Sequence, residues 1–384
     1  MSENAPEEVT KVLKSGFIGQ GSKVDEFESK LKEFFKSDYV ATTNAATSAE
    51  HLALHLLKKP EMNIEVFNGL ASKENHWNGL EDGDEVLATP LTCTATNFPI
   101  LANNLKIKWV DIDPNTLNID LDDLSRKITS KTKVIFLVHW GGYPVDLDKL
   151  KEIQDKAYKN FGFKPVIIED CAHALGSKFK GQPIGSHGNI CTFSFQAIKH
   201  LTTGDGGCLI LPHKNLYNRA KLLRWYGIDR ESDRKDFRCE ADIPEWGFKF
   251  HMNDIAASIG ISNMENVQED VIDKHKSNGK FYDEELKDVP GITLMKRDSR
   301  MESAYWIYSI LVENKDAFTE HMKAHGIATS QVHERNDIHS CLAEFKCDLP
   351  NLDTIKGRLS AIPVGWWVSK EDRQYIVDVI KKGW

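Results

Sequence analysis

The stretch PVIIEDCAHALGS, residues 165–177, carries the features from which the fold can be predicted. Its apolar, β-branched run is typical of a buried β-strand, and two acids, Glu169 and Asp170, follow that run directly. Carboxylates at the carboxyl end of a parallel strand lie where α/β sheets bind their ligands. The same residues also suit an ordinary cap on the turn that follows, so this stretch alone leaves both interpretations open.

Similar runs recur along the chain and alternate with segments of helical period. The predicted strands include DYVATTN, DEVLAT, KIKWVDID, KVIFLVH and GCLIL, and the predicted helices include KVDEFESKLKEFF, TSAEHLALHLLKK and DLDKLKEIQDKAYKN. This alternation predicts an α/β domain with a largely parallel sheet. The pattern shifts after about Gln268, so we expect a large domain over residues 1–267 and a smaller C-terminal α+β domain over residues 268–384. Residues 61–83 have no period and are predicted to form a surface loop.

The composition narrows the classes of function. The 384 residues are 41% hydrophobic and 28% charged, with a net charge of −8, which indicates a globular protein and argues against a nucleic-acid partner. The seven cysteines are scattered without a C-x-x-C pair, so we expect no disulfide framework, no metal site and a reducing, cytoplasmic location. The polar, acidic start is unlike a signal peptide, and no apolar run has the length of a membrane span. We therefore expect no membrane partner.

The segment TTNAATSAEHLAL, residues 42–54, joins a predicted strand to a predicted helix through small residues. Free N–H groups and the helix dipole at such a junction favour a phosphate, and Thr47 and Ser48 could add hydroxyl groups. An ordinary helix cap explains the pattern equally well. The segment matches neither G-x-x-x-x-G-K-[ST] nor G-x-G-x-x-G, which disfavours nucleotide-binding loops of those kinds.

The segment TFSFQAIKHLTTGDGG, residues 192–207, places Lys199 between a strand-like run and a glycine-rich turn. A deprotonated lysine amine is a nucleophile that forms a Schiff base with an aldehyde, and burial or neighbouring charge lowers its pKa towards that state. The glycines would let the backbone turn sharply close to a ligand. The alternative interpretation is a surface lysine in a loop.

Taken in chain order, these segments describe a phosphate cradle, a carboxylate, a hydroxyl from Ser194 and a lysine, which are the parts needed to hold and use pyridoxal 5′-phosphate (PLP). Further blocks agree, namely SGFIGQGSKVDEFE, GDEVLATPLTCTATNFPI, VHWGGYPVDLDKL and GFKFHMNDIAASIG. With them the chain resembles, along nearly its whole length, the PLP-dependent sugar-nucleotide aminotransferases of fold type I, the aspartate-aminotransferase-like fold. The resemblance implies an α/β large domain with a mixed, mostly parallel sheet between helices. It also implies a homodimer whose active sites are completed by the partner chain.

The resemblance further implies a role for individual residues. Lys199 would hold PLP as a Schiff base and shuttle the proton, Asp170 would pair with the pyridine nitrogen, and His173 would lie beside the ring. The other implied cofactor contacts are Ala46, Thr47, Cys93, Ser194 and, from the second subunit, Lys249.

Three positions depart from the family pattern. Ala46 stands where a glycine is usual before the phosphate-binding threonine, and its methyl group restricts positive φ. Cys93 stands where an aromatic residue usually stacks on the cofactor ring. Lys249 and His251 replace an asparagine and an arginine, and a lysine still suits a phosphate as a point charge.

The implied reaction moves the amino group of L-glutamate to PLP, giving pyridoxamine 5′-phosphate, and then to a nucleotide-linked keto-sugar. A 4-keto-6-deoxyhexose is the expected sugar, as in the biosynthesis of amino-sugars and polysaccharides. In QVHERNDIHS the candidate substrate contacts are His333, Arg335 and His339, whose charge could meet a diphosphate or sugar, although an exposed polar loop is equally compatible.

Two other functions stay open for such a chain. Sugar 3-dehydratases of the same family replace the lysine with histidine, and His200 follows Lys199 directly. A catalytically inactive homologue would serve as a binding or regulatory module. Because the chain retains both Lys199 and Asp170, we favour the aminotransferase.

Overall fold

The computed structural model describes residues 1–58, 79–231 and 242–384. The loop predicted for residues 61–83 lies outside this part of the chain, apart from its last five residues.

A seven-stranded sheet organises the larger part of the chain, in the order β1-β9-β8-β5-β4-β2-β3. Six of these strands run in one direction and β9 runs antiparallel to its neighbours β1 and β8. The predicted fold class, a mixed and mostly parallel sheet between helices, is therefore confirmed. The strands of this sheet are β1 Val40–Thr43, β2 Glu85–Ala88, β3 Lys106–Trp109, β4 Thr132–Val138, β5 Val166–Asp170, β8 Ile190–Ser194 and β9 Gly207–Ile210.

Burial on both faces of the sheet explains why its strands are almost continuously apolar. In β4, Val134 and Phe136 enter one hydrophobic cluster, whereas Ile135 and Leu137 enter another. Successive side chains of a strand point to opposite faces, so a sheet covered on both sides needs an apolar residue at nearly every position.

Helices cover both faces and connect the strands. Asp120 and Asp146 each cap a helix by accepting hydrogen bonds from backbone N–H groups of its first turn. The helices that precede, connect and follow these strands are α1 Ala5–Ser15, α2 Ser22–Phe35, α3 Ala46–Leu56, α4 Thr94–Ala102, α5 Leu121–Lys127, α6 Leu147–Phe161, α7 Lys214–Leu223 and α8 Asp254–Met264. Among the described residues, no helix combines the length and the apolar character needed to cross a bilayer.

The C-terminal region has its own sheet, β10-β12-β13, which is antiparallel throughout. Its helices pack on this sheet around Tyr282, Ile310 and Phe318. A third small sheet, β11-β6-β7, joins this region to the larger one. The remaining elements are β6 Lys178–Phe179, β7 Gln182–Pro183, β10 Ile292–Leu294, β11 Met301–Glu302, β12 Tyr308–Val312, β13 Leu359–Ile362, α9 Asp273–Glu285, α10 Lys315–Ala324, α11 Pro350–Ile355 and α12 Lys370–Lys381.

The predicted boundary between residues 267 and 268 falls at the start of a π-helical turn, Val267–Ile272, that leads into α9. Some residues beyond this boundary pack on the large sheet, since Leu342, Leu352 and Leu359 belong to its hydrophobic cluster. The division into two domains stays a prediction.

Candidate active site

The carboxyl ends of β1 and β8 and the start of the antiparallel strand β9 lie together at one edge of the sheet. In the register of the sheet, Ser194 and Thr43 both pair with Gly207, one from each side. A Cβ atom on Gly207 would lie 2.6 Å from the backbone nitrogen of Ala46, so only glycine lets this strand approach the start of α3 so closely. The glycine-rich turn after Lys199 therefore has a structural cause.

The start of α3 offers free backbone donors at this edge. The helix begins at Ala46, and its N-cap residue Ala45 makes no side-chain cap, while Thr47 is exposed. The Ser194 hydroxyl lies across Gly207 from this junction and accepts a hydrogen bond from the backbone N–H of Gln196 at 3.3 Å. This arrangement of helix N-terminus and hydroxyl suits a phosphate.

Lys249 lies next to the same junction within its own chain. Its carbonyl oxygen accepts a hydrogen bond from Asn44 Nδ2 at 3.3 Å, and the backbone N–H of Asn44 donates to Phe250 at 2.7 Å. The Lys249 side chain is exposed. Its predicted contact with a second subunit stays a prediction.

Asp170 is the last residue of β5 and is buried. Its Oδ2 accepts a hydrogen bond from the Thr96 hydroxyl at 2.6 Å, and its Oδ1 accepts one from the backbone N–H of Ala172 at 2.9 Å. The Thr92 and Thr96 hydroxyls lie 2.9 Å apart. Because Thr96 gives its only proton to Asp170, Thr92 must donate to Thr96. Asp170 thus does more than cap a turn, since α4 also supplies a donor to it.

Lys199, in the segment that follows β8, interacts with this carboxylate. Burial lowers the pKa of Lys199 to about 8, against the opposing charges of Asp170, Cys93 and Glu50. A lysine with this pKa is about one-tenth neutral at pH 7, far more than an ordinary surface lysine. Lys199 is therefore suited to act as a nucleophile and a base, rather than as a solvated loop residue.

An aromatic stack surrounds the Lys199 amine. Nζ lies 3.6 Å from the centre of the Trp306 ring, and this ring stacks on His173 with 3.8 Å between centroids and 13° between planes. The His333 ring lies nearly parallel to His173, with 5.7 Å between their centroids. Trp306 is held in place because its Nε1 donates to the carbonyl of Ile198 at 3.1 Å.

Both histidines of the stack, His173 and His333, favour the neutral form, and each has one ring nitrogen without a hydrogen-bond partner among the described residues. Burial, reinforced by the Lys199 charge, holds the pKa of His173 well below its usual range and lowers that of His333 to about 4. Among the described residues, His173 Nδ1 and His333 Nε2 have no hydrogen-bond partner. Buried polar atoms without partners are rare in a finished core, so these nitrogens indicate a site for a polar ligand.

Cys93 is the N-cap residue of α4, and its charge, when ionised, would act on both Lys199 and Glu50. A cysteine offers no aromatic face. The aromatic face near Lys199 comes from Trp306 instead, which the sequence analysis missed. Trp306 lies in the run YWIYSILV, whose apolar character predicts only a strand.

The three candidate substrate residues have different surroundings. His333 reaches the lysine, as described above. The Arg335 guanidinium is held by Asp337, with Nε and Nη2 each donating at 2.7 Å, and also pairs with Asp353. Its charge is therefore used within the chain, which argues against a free anion-binding role. His339 is half-buried at the start of a 3₁₀ turn, Ser340–Phe345.

A buried group beside the site, His139, Glu169 and Cys171, has the residue types of a metal site. The backbone N–H of Val145 donates to His139 Nδ1 at 3.0 Å, so Nε2 carries the ring proton and donates to Glu169 at 2.7 Å. Neither ring nitrogen has a lone pair left for a metal. The donor set is therefore that of a hydrogen-bonded pair.

The residues at the sheet edge fit PLP. The start of α3 with Ser194 suits its phosphate, Asp170 suits a protonated ring nitrogen, Trp306 and His173 suit its flat ring, and Lys199 suits its aldehyde. The class of protein defined by this fold and site is a PLP-dependent enzyme of fold type I.

Comparison with known proteins gives the family. Residues 1–381 match the model of the DegT/DnrJ/EryC1/StrS aminotransferase family, so the chain belongs to that family. The fold resembles AtS13 from Actinomadura melliaura, with 46% identity, a TM-score of 0.91 and coverage of 100% of this chain and 96% of that one. It also resembles the sugar aminotransferase CalS13 from Micromonospora echinospora, with 42% identity, a TM-score of 0.89 and coverage of 100% and 98%. GDP-perosamine synthase of Escherichia coli O157:H7 is 31% identical over 85% of this chain and 80% of its own length. The predicted family and enzyme class are thereby confirmed.

Proposed function

We propose that this aminotransferase moves the amino group of L-glutamate to the keto group of a nucleotide-linked sugar, a 4-keto-6-deoxyhexose in the first instance. The single observation that carries the proposal is the position of Lys199, whose Nζ lies 3.6 Å from the centre of the Trp306 ring and which interacts with the carboxylate of Asp170. The names of relatives support a sugar substrate, since one is a sugar aminotransferase and another a GDP-perosamine synthase.

In this proposal PLP supplies an aldehyde and an electron-accepting ring when it is bound. The Lys199 amine would hold it and, when free, would act as the base that takes a proton from the substrate carbon and as the acid that gives the proton back. Asp170 would favour a protonated ring nitrogen by placing a negative charge against it. His173 would contact the ring, and the start of α3 would hold the phosphate.

Other residues would complete the proposed site. Ala46 and Thr47 would donate to the phosphate from the helix N-terminus, Ser194 would add its hydroxyl, and Cys93 would border the ring. His333 faces the substrate side of Lys199, and His339 lies further along the same loop. We propose Arg335 as a clamp for this loop, because two aspartates already hold it.

We also propose a homodimer, in which the partner's Lys249 reaches the phosphate. The enzyme would work in a reducing cytoplasm, a proposal supported by the six cysteines among the described residues, all of which are free thiols.

The test of attachment compares three proteins incubated with PLP. We expect wild type to develop a visible absorption band and to retain PLP on Lys199 after borohydride reduction, as read by peptide mass. Lys199→Ala should show neither, while Lys214→Ala, which removes an exposed lysine at the start of α7, should behave as wild type. A wild-type protein without the band or the trapped peptide would refute the proposal.

The test of reaction type uses a panel of keto-sugar nucleotides with L-glutamate. Amino-sugar formed in equal amount with 2-oxoglutarate supports transamination. A deoxygenated sugar without retained nitrogen would assign a 3-dehydratase instead. Binding of PLP and sugar nucleotide without any turnover would assign an inactive binding or regulatory homologue.

A further inference from the structure

Glu50 is a buried acid at the site to which the proposed reaction gives no task. It lies in α3, only 1% of it is exposed, and its carboxyl interacts with Asp170, Cys93 and Lys199. Within the described residues its Oε2 has no hydrogen-bond donor. An ionised carboxylate in this position would carry a large desolvation cost without a compensating donor.

The hydrogen bonds around Asp170 show where the proton of this carboxyl pair lies. The Glu50 and Asp170 carboxyl groups interact, and two carboxyl groups can share a hydrogen bond only when one of them is protonated. Asp170 already accepts from the Thr96 hydroxyl at 2.6 Å and from the Ala172 N–H at 2.9 Å, and such donors stabilise its charged form. Among the described residues no comparable donor reaches Glu50, so Glu50 holds the proton.

The electrostatics agree with this assignment. Burial raises the pKa of Glu50 well above its usual value, and the Asp170 charge raises it further, while Lys199 opposes both effects. Lys199 keeps most of its charge at pH 7, since its pKa is about 8. Its effect on Glu50 is nevertheless the smallest of these and is outweighed by burial.

We propose that Glu50 is a neutral carboxylic acid that donates its proton to Asp170, and so keeps Asp170 as one oriented negative charge for the ring nitrogen of the cofactor. Glu50 is a positioning residue, since it acts through Asp170. The inference rests on the proposed function for the identity of the ligand, but the protonation of Glu50 can be measured without that ligand.

The first experiment measures the proton directly in cofactor-free protein at pH 7. The infrared difference between wild type and Glu50→Gln should show the loss of a protonated carboxyl band. If carboxylate bands are lost instead, Glu50 is ionised and the proposal is overturned. This result does not depend on whether the protein is an aminotransferase.

The second experiment measures the affinity for PLP as a function of pH in the Lys199→Ala background, so that titration of the lysine does not enter. The groups that remain facing the pair are Cys93 and His333, and they are the same in every variant. Glu50→Leu removes a donor to a charged group, so PLP should bind about tenfold more weakly at pH 7. As the pH is lowered, the PLP affinity of this variant should begin to fall at a higher pH than that of the background, because Asp170 without the Glu50 donor is protonated more easily.

Glu50→Gln is the matched control, because its amide N–H can still donate to Asp170. We expect its PLP affinity within about twofold of the background and an unchanged pH profile. Equal affinity and equal profiles for Glu50→Leu and the background would overturn the proposal. If the Lys199→Ala protein with an unchanged Glu50 binds no PLP, the proposed function is refuted instead.

Thermal unfolding separates these results from misfolding. Replacing a buried acid by leucine is often neutral or stabilising for the fold, so Glu50→Leu should melt no lower than wild type. If that variant fails to fold, the infrared band of Glu50→Gln and the PLP affinity of Glu50→Met, which also lacks a donor, decide the matter.

Discussion

Glu169 and Asp170 are consecutive residues of β5, and their carboxylates serve opposite purposes. Both are buried, but their side chains point to opposite faces of the strand. Burial raises the pKa of Glu169, yet hydrogen bonds from His139 at 2.7 Å and Asn189 at 2.6 Å outweigh it, so its pKa is lowered overall. Asp170 instead interacts with Lys199, with the buried acid Glu50 and with His333, whose Nε2 has no hydrogen-bond partner among the described residues.

The difference shows how a buried charge in the fold is distinguished from one kept for a ligand. The partners of Glu169 are complete within the protein, so its charge stabilises the fold. Within the described part of the chain, the surroundings of Asp170 contain polar atoms without partners, which is costly unless something else binds there. Burial alone does not distinguish the two residues. They differ in whether the polar groups around them have hydrogen-bond partners within the protein.

The largest effect should follow Asp170→Asn. The change removes the charge proposed to face the ring nitrogen, so the rate of transamination should fall about 10²- to 10³-fold. The free energy of unfolding of cofactor-free protein should change little, because the amide oxygen still accepts from the Ala172 N–H and the amide NH2 can donate to the Thr96 hydroxyl, which can also accept. Steady-state kinetics with urea unfolding measures both. If the variant transaminates at the wild-type rate, the charge of Asp170 is not needed for the reaction, and Asp170 does not differ from Glu169 in the way proposed.

The converse variant, Glu169→Gln, should affect the fold. Loss of a charged acceptor in a buried pair should lower the free energy of unfolding by about 2 kcal/mol, while PLP still becomes attached to Lys199. Because the pKa of Glu169 is lowered in the folded state, its stabilising effect is present above its usual value of 4.5 and is lost as the pH falls below it. The gap between wild type and variant should therefore narrow in acid. A gap that persists unchanged in acid would contradict this account.

Attachment of PLP should reflect the pKa of Lys199. Since that pKa is about 8, the neutral fraction of the amine grows with pH and levels off above pH 8. The rate of PLP capture by cofactor-free protein should rise about fivefold between pH 7 and pH 8 and then flatten. Stopped-flow absorbance measures this. A rate that keeps rising to pH 10 would mean that burial does not perturb the lysine.

The smallest effect should follow Thr96→Val. The variant keeps the shape of the side chain but removes one donor to Asp170, which should cost about 1 kcal/mol, or about fivefold in PLP affinity. Thr94→Val is the matched control at the start of α4 and should leave the affinity unchanged. Equal affinities for all three proteins would show that Thr96 does not support Asp170.

Much of the fold could be predicted because each strand carries its own signal. The β4 and β5 runs are apolar on both faces, and Asp170, Ser194 and Lys199 lie within or directly after such runs. Their approximate position at the sheet edge follows from the strand ends alone. Local patterns of this kind need no knowledge of distant parts of the chain.

Trp306 and Glu50 could not be assigned in the same way, and His333 was a candidate from its own segment without a predicted place beside Lys199. Trp306 and His333 come from beyond residue 300 and meet Lys199 only through tertiary packing. Glu50 lies in a helix that is buried on nearly all sides, so the sequence does not show which face of the helix carries its carboxyl group. The pairing of Arg335 with Asp337 and Asp353 was equally invisible in the sequence.

The sequence by itself therefore determined the strands, the sheet type and the residues placed at strand ends, because hydrophobic period and turn chemistry are local properties. Only the tertiary structure decided which side chains share a pocket and which polar groups are left without partners. The physical reason is that the pKa of Lys199 and the proton shared by Glu50 and Asp170 depend on burial and on charges brought together from separate parts of the chain.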